Sequence, residues 1–247
     1  LYLKRFTDKV GFFIPDRFSQ GYGVNDSAIR DICDKNYDLI ITVDTGISAI
    51  SEIEYAKSLG LDVIVTDHHE CQEVLPPADA IINPKRHNET YPFRHLAGVG
   101  VVYKLISALD SVFSTSYCND YIDLVAIGTI ADIMPLVDEN RYIVKSGLEK
   151  ISVSPNFGLK CLIDICSSEH KITSASVGFA IAPRINAAGR MSNAQIGVEL
   201  FSTNDQVKAM SIAKQLCELN SERQKTENEI MNDAIKIPIN KFFTPNI

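Results

Sequence analysis

The stretch Val63-Ile64-Val65-Thr66-Asp67-His68-His69-Glu70 decides how this chain is read. Four β-branched residues in a row suit a buried strand. The run stops abruptly at an aspartate and two adjacent histidines. The whole chain has five histidines, so two side by side at a strand end call for a reason. Working outward, "YDLIITVDTG" (37–46) is a second apolar run, ending at Asp44, and "DAIINP" (79–84) is a third. "KVGFFIP" (9–15) reads as an earlier strand. Between these runs, "NDSAIRDICDK" (25–35) reads as a short helix with Asn25 or Asp26 as its N-cap. "SAISEIEYAKSLG" (48–60) reads as another, closed by Gly60. Nearly all-apolar strands alternating with helices imply an α/β fold with a parallel sheet covered on both faces. Ligands of such sheets bind at the carboxyl ends of the strands. Asp44 and Asp67-His68-His69 fall at that edge.

Beyond about Pro84 the pattern turns helical. "LAGVGVVYKLISAL" (96–109) and "YIDLVAIGTIADI" (121–133) have the composition of buried helices, and "ENRYIVKSGLEKI" (139–151) is amphipathic. A long polar helix with a sparse apolar stripe follows over 205–234, suited to connecting domains. The division expected is an α/β part over 1–95, a helical part over 96–203, a connector helix over 204–235 and an irregular tail over 236–247.

The 247 residues are 45% hydrophobic, which suits a globular protein of one large or two modest domains. No apolar run reaches the roughly 18–20 residues of a membrane span, and charges interrupt the N-terminal segment where a signal peptide would be apolar. The expectation is a monomeric cytoplasmic protein with no membrane partner. Six cysteines without a CxxC pair argue against a zinc ribbon or a disulfide framework and for free thiols. A net charge of −7 gives no global basic footprint for nucleic acid. A metal cluster with a few arginines still makes a local positive site on an acidic protein.

The chemistry at the sheet edge follows from the side chains. Neighbouring strands lie about 4.8 Å apart, so residues at two strand ends can meet. Asp44 offers a hard oxygen, and His68 and His69 offer imidazole nitrogens. Such a set without thiolate suits Mn²⁺, Mg²⁺ or Fe²⁺. Successive residues of a strand face opposite ways, so both histidines serve one site only where the chain turns. Two metals about 3.5–4 Å apart are a recurring device for cutting phosphodiesters. An isolated Asp-His-His triplet equally suits a turn cap with one exposed histidine, and Asp44 before Gly46 suits a plain turn. Asp132 stands in the apolar "GTIADIMPL" (128–136), where a buried carboxylate needs a metal or a hydrogen-bonding partner.

"APRINAAGRM" (182–191) sets Arg184 and Arg190 around Asn186, with Gly189 allowing close backbone approach. "IPDRFSQGYG" (14–23) adds Arg17 and Tyr22. Arginines that grip phosphate, with an aromatic for stacking, suit a single strand of nucleic acid. Structural arginines linking loops to acidic residues are the alternative. "GVG" (98–100) is too short for a nucleotide loop and suits close helix packing.

Taken in order, "VDTGISA", "VTDHHE", "LAGVGVVYKL", "DLVAIGTIADIMPL" and "GFAIAPRINAAGRM" resemble the DHH phosphoesterase superfamily. Within it the chain is similar to the RecJ-like branch, single-strand-specific 5′→3′ DNA exonucleases of recombination and repair, over roughly residues 1–234. The resemblance implies a Mn²⁺ or Mg²⁺ pair held by Asp44, His68, His69 and Asp132, with Asp67 orienting a neighbouring imidazole. It implies Arg17 and Arg190 at a terminal-phosphate pocket, and single-stranded DNA as partner. The branch also carries an Asp-x-Asp motif at the end of its first strand, and no Asp-x-Asp occurs here. The expectation is therefore an α/β part without its first strand, no second domain, one loosely held ion and only trace activity. Rival readings are a DHH phosphodiesterase of oligoribonucleotides or cyclic dinucleotides, and an inactive scaffold.

Overall fold

The computed structural model describes residues 1–16, 21–166, 171–191 and 193–236. Three strands, β1 (Leu39–Val43), β2 (Asp62–Thr66) and β3 (Ala80–Ile82), form a parallel sheet in that order. Helices α1 (Asp26–Asp34) and α2 (Ile50–Ser58) cover one face. Ile29, Ile53 and Ala56 pack there against Val63 and Val65, with Ile81 alongside. Alternation sends Ile82 the other way, against Phe93, Leu96 and Val101. Asn25 caps α1, its Oδ1 accepting from Ala28 N at 2.9 Å. Gly60 ends the α2 turn at φ +82°, a left-handed conformation that costs glycine little.

"KVGFFIP" forms no strand, contrary to expectation. A strand needs a ladder partner, and β1, β2 and β3 pair only among themselves among the described residues. Gly11 instead lies against Tyr37, whose hydroxyl would be 2.5 Å from an added Cβ.

The rest is helical: α3 (Gly98–Phe113), α4 (Ile122–Ala131), α5 (Asp138–Ile151), α6 (Phe157–Cys166) and the single turn α7 (Ser174–Ser176). A π-helical stretch (Val177–Ile181) leads into α8 (Ala182–Met191), followed by α9 (Gln195–Ser202) and α10 (Gln206–Lys236). Helix α4 is apolar all round because it is buried between two cores. Ile122 and Val125 join the core beneath the sheet, while Ile127 joins the larger core of α6, α8, α9 and α10. Two glycines let its neighbours close in. A Cβ on Gly147 of α5 would collide with Ala126 Cβ, and one on Gly128 would meet Val99 of α3 at 2.7 Å. The first half of α10 buries Ala209, Ile212, Ala213 and Leu216, while Ile230, Met231 and Ile235 near its end are exposed. No helix among the described residues is long and apolar enough to cross a membrane.

The N-terminal residues are tied to this body through Asp110 of α3. The carboxylate accepts from Tyr2 Oη at 2.8 Å, from Cys118 N at 2.6 Å and from the Thr115 hydroxyl. Burial pushes Asp110 up, but these donors outweigh it and hold the group well below the usual carboxylate range. A carboxylate depressed on folding contributes stability above its unfolded pKa of about 4, and loses it as pH falls. Asp110→Asn should therefore lower the melting temperature at pH 7. It should also flatten the loss of stability on acidification, read by urea unfolding from pH 7 to 3.

Candidate metal centre

The register pairs Val43 with Thr66, so Asp44 and Asp67 are the first residues past the ends of two adjacent strands. Both ends are tied down. Asp44 N donates to Thr66 O at 3.0 Å, Asp67 N to Ile82 O at 3.1 Å, and Thr66 Oγ1 to Thr42 O at 2.6 Å. At Asp44 the chain turns through the left-handed region, φ +62°, a conformation aspartate tolerates better than most residues. That turn carries the Asp44 side chain, 57% exposed, over the strand ends.

Asp67 is the buried one, 1% exposed. Its Oδ2 accepts from Ile47 N at 3.0 Å; its Oδ1 accepts from His68 N at 2.7 Å and His69 N at 3.2 Å, and meets His69 Nδ1 at 2.7 Å. Burial would raise its pKa. The Ile47 N–H and the bonds from His69 and His68 overcome that and hold it below the usual range. The bond at Nδ1 leaves His69 Nε2 as its available nitrogen, as when a carboxylate orients a ligating imidazole. Asn83, just past β3, donates from Nδ2 to His69 O at 3.0 Å and fixes the same residue from behind.

His68 turns the other way. Its Nε2 lies 3.0 Å from Asp44 Oδ1 and 3.5 Å from Asp132 Oδ2. The bond from Asp44 raises its pKa against the opposing effect of burial, and Asp132 adds to the rise. Asp132 is itself raised, first by partial burial and also by the nearby Asp44. Asp44, His68 and His69 each place a ligand atom within 4.8 Å of the others.

Asp132 is not the buried carboxylate expected from its apolar surroundings. It is 44% exposed, because the last buried residue of α4 is Thr129 and Asp132 is the cap residue where the chain emerges. Gly98, read as a helix-packing glycine, instead opens the first turn of α3 against the site. An added Cβ there would collide with Asp44 Oδ1. Asn83 and Gly98 are the residues the sequence reading missed. Asn83 carried a signal, since it follows the third strand as Asp44 and Asp67 follow the first two. Gly98 carried none beyond its small size.

The arginine cluster is divided. Tyr22, Asn186, Gly189 and Arg190 line one open cavity of about 650 Å³ together with Leu1 and Phe201. Arg184 is not among its lining residues; its Nη1 donates back to Ala180 O at 2.5 Å. Arg17 lies outside the described residues.

The residues suit a divalent cation. Among the described residues, the ion-pair partner of Asp44 and of Asp132 is His68 alone, and no lysine or arginine forms an ion pair with either. With Nε2–H donating to Asp44, the buried His68 Nδ1 has no partner and keeps an unused lone pair. Two carboxylates converging on imidazole without thiolate form the hard oxygen and nitrogen set that Mn²⁺ and Mg²⁺ accept. Asp67→Ala should strip the partner from three backbone N–H groups. It should cost at least about 2 kcal/mol in urea unfolding, from the penalty for unsatisfied buried donors.

The family model described as "DHH family, N-terminal domain" matches residues 1–129. The single-stranded-DNA-specific exonuclease RecJ of Bacillus subtilis (strain 168) is 45% identical over 236 residues, covering 95% of this chain and 30% of that protein. A crystal structure of exonuclease RecJ bound to manganese superposes with a TM-score of 0.82 at 35% identity, over 90% of this chain and 56% of that one. RecJ from Thermus thermophilus in complex with Mg²⁺ gives a TM-score of 0.61 at 25% identity, over 84% of this chain and 35% of that one. The chain thus spans about a third of the length of the Bacillus relative. With the family model matched across the sheet, the Asp67-His68-His69 turn and helix α3, this chain belongs to the DHH family.

Proposed function

We propose that this chain forms the metal-binding core of a RecJ-like nuclease, which hydrolyses single-stranded DNA from the 5′ end. The observation that carries the reading is the convergence of Asp44 and Asp132 on His68 Nε2, at 3.0 and 3.5 Å, beside a His69 ring held by Asp67. Asp44, His68, His69 and Asp132 are the proposed ligands, and Asp67 the residue that orients His69. Mn²⁺ or Mg²⁺ held there would supply Lewis acidity for activating a water and for stabilising the leaving oxygen of a phosphodiester.

The chain's own residues set up that chemistry. The bonds to Asp67 keep His69 turned so that only Nε2 is available, without a side-chain rearrangement at the moment of binding. Gly98 leaves room for the Asp44 carboxylate at the first turn of α3. The cavity with Tyr22, Asn186 and Arg190 is the proposed seat of the 5′-terminal nucleotide. The Arg190 guanidinium grips the terminal phosphate, and Tyr22, 73% exposed, offers a face for stacking. The homologues named as single-stranded-DNA-specific exonucleases support the choice of substrate.

Thermal unfolding with and without Mn²⁺ tests the ligands. An ion at about 100 times its Kd should stabilise the chain by about 2.7 kcal/mol. His69→Ala and Asp132→Asn should remove most of that gain while keeping the far-ultraviolet spectrum. Gly98→Ala should weaken Mn²⁺ binding, because the new methyl displaces Asp44. Equal Mn²⁺ stabilisation in all of these proteins would refute the site. On the substrate side, Arg190→Ala should weaken binding of 5′-phosphorylated single strands more than of 5′-hydroxyl ones. Equal losses would remove Arg190 from the terminal-phosphate role. Hydrolysis confined to dinucleotides would favour the oligoribonucleotide reading instead.

A further inference from the structure

Helix α4 ends in a way that works against its own sequence. Asp132 N still bonds to Gly128 O at 3.0 Å, Ile133 N turns back to Ile130 O at 3.1 Å, and Met134 N reaches Thr129 O at 3.3 Å. The last two bonds form the Schellman closure, whose pivot residue sits in the left-handed region and is usually glycine. Here the pivot is Ile133, at φ +55°. For a β-branched residue that conformation is a genuine outlier, since Cβ crowds its own backbone. The strain is not offset by burial, because the Ile133 side chain is 89% exposed, the most exposed large apolar residue described. Glycine would make the same turn with the same hydrogen bonds and no strain. The isoleucine side chain therefore does nothing for folding that its absence would not do better.

Its position says what the side chain is for. Ile133 directly follows Asp132, whose carboxylate lies 3.5 Å from His68 Nε2. About 3.8 Å separates the two Cα atoms. Strained residues that a structure tolerates cluster where ligands are handled. A phosphodiester held by a cation at Asp44, His68 and Asp132 would bring its sugar and base with it. The exposed faces of an unpaired base are apolar and accept flat contact, and aliphatic side chains serve as wedges against them.

We propose that Ile133 is a substrate-contacting residue, an aliphatic wedge that lies against an unpaired base next to the phosphate at the metal centre. The proposal rests on the nuclease reading above and adds a determinant of single-strand preference. A base already stacked and paired has no free face for Ile133, so the contact selects strands whose bases are open.

The test uses a short 5′-phosphorylated single strand with phosphorothioate linkages, bound in the presence of Mn²⁺ and followed by fluorescence anisotropy. A second strand carries abasic sugars near its 5′ end. The unaltered chain should bind the intact strand more tightly than the abasic one. In Ile133→Gly that preference should shrink by about three- to tenfold, the low end of what one base-face contact contributes. Ile133→Leu, which keeps an aliphatic side chain, should retain it. Val153→Ala, at another exposed apolar residue just past the C-terminal end of α5, should leave it unchanged. Ile133→Gly should meanwhile raise the melting temperature and leave Mn²⁺ binding intact. An unchanged preference in Ile133→Gly overturns the wedge. A lowered melting temperature also overturns it, because the side chain would then be buried against another surface. If Ile133→Gly loses Mn²⁺, the side chain positions Asp132 and the base contact is wrong. If the unaltered chain binds Mn²⁺ but neither strand, the nuclease reading itself fails.

Discussion

The buried carboxylate of Asp67 holds the site together. A charged group at 1% exposure is tolerable only when its lone pairs are filled. Here they are filled by three backbone N–H groups and one imidazole. Those donors come from two chain segments, the loop after β1 at Ile47 and the turn after β2 at His68 and His69. One side chain thus fixes two strand ends against each other. It also sets which nitrogen of His69 is free. The ladder bonds from Asp44 to Thr66 and from Asp67 to Ile82 extend the same lock across the three strands.

The other half of the site comes from a long way along the chain. Asp132 reaches His68 only because α4 is gripped between two cores, with Gly147 and Gly128 bringing α5 and α3 close. A helix so confined has few ways to shift, so the carboxylate at its end is positioned as firmly as those at the strand ends. The local turns then do the final aiming. Asp44 and Ile133 both adopt left-handed conformations that other residues rarely take. Like-charge crowding gathers at this place, where two carboxylates face a single imidazole. A divalent cation would relieve that crowding.

Much of this was legible in the sequence. The three strands and their parallel order followed from apolar runs alternating with helical patterns, and the register then placed Asp44 and Asp67 side by side. The Asn25 cap and the Gly60 stop were readable from local chemistry alone. "KVGFFIP" misled because its composition suits a strand while pairing is a property of partners, which composition does not report. Asp132 misled for a related reason: its neighbours in sequence are apolar, but the helix ends one residue before it and the apolar Ile133 beside it is itself exposed. Gly98 and Asn83 act through space on residues far away in sequence, so no local pattern marks what they touch. The strain at Ile133 is invisible in sequence, since nothing in "ADIMPL" states that the isoleucine is the pivot of a left-handed turn.

The claim that Asp67 presets His69 is open to one direct observation, nitrogen-15 spectroscopy of the histidine rings. In the metal-free chain the neutral His69 ring should carry its proton on Nδ1, donated to Asp67, with Nε2 bare. Adding Mn²⁺ should then broaden Nε2 of His69 and the ring signals of His68. A His69 ring protonated on Nε2, or both rings untouched by Mn²⁺, would contradict the account.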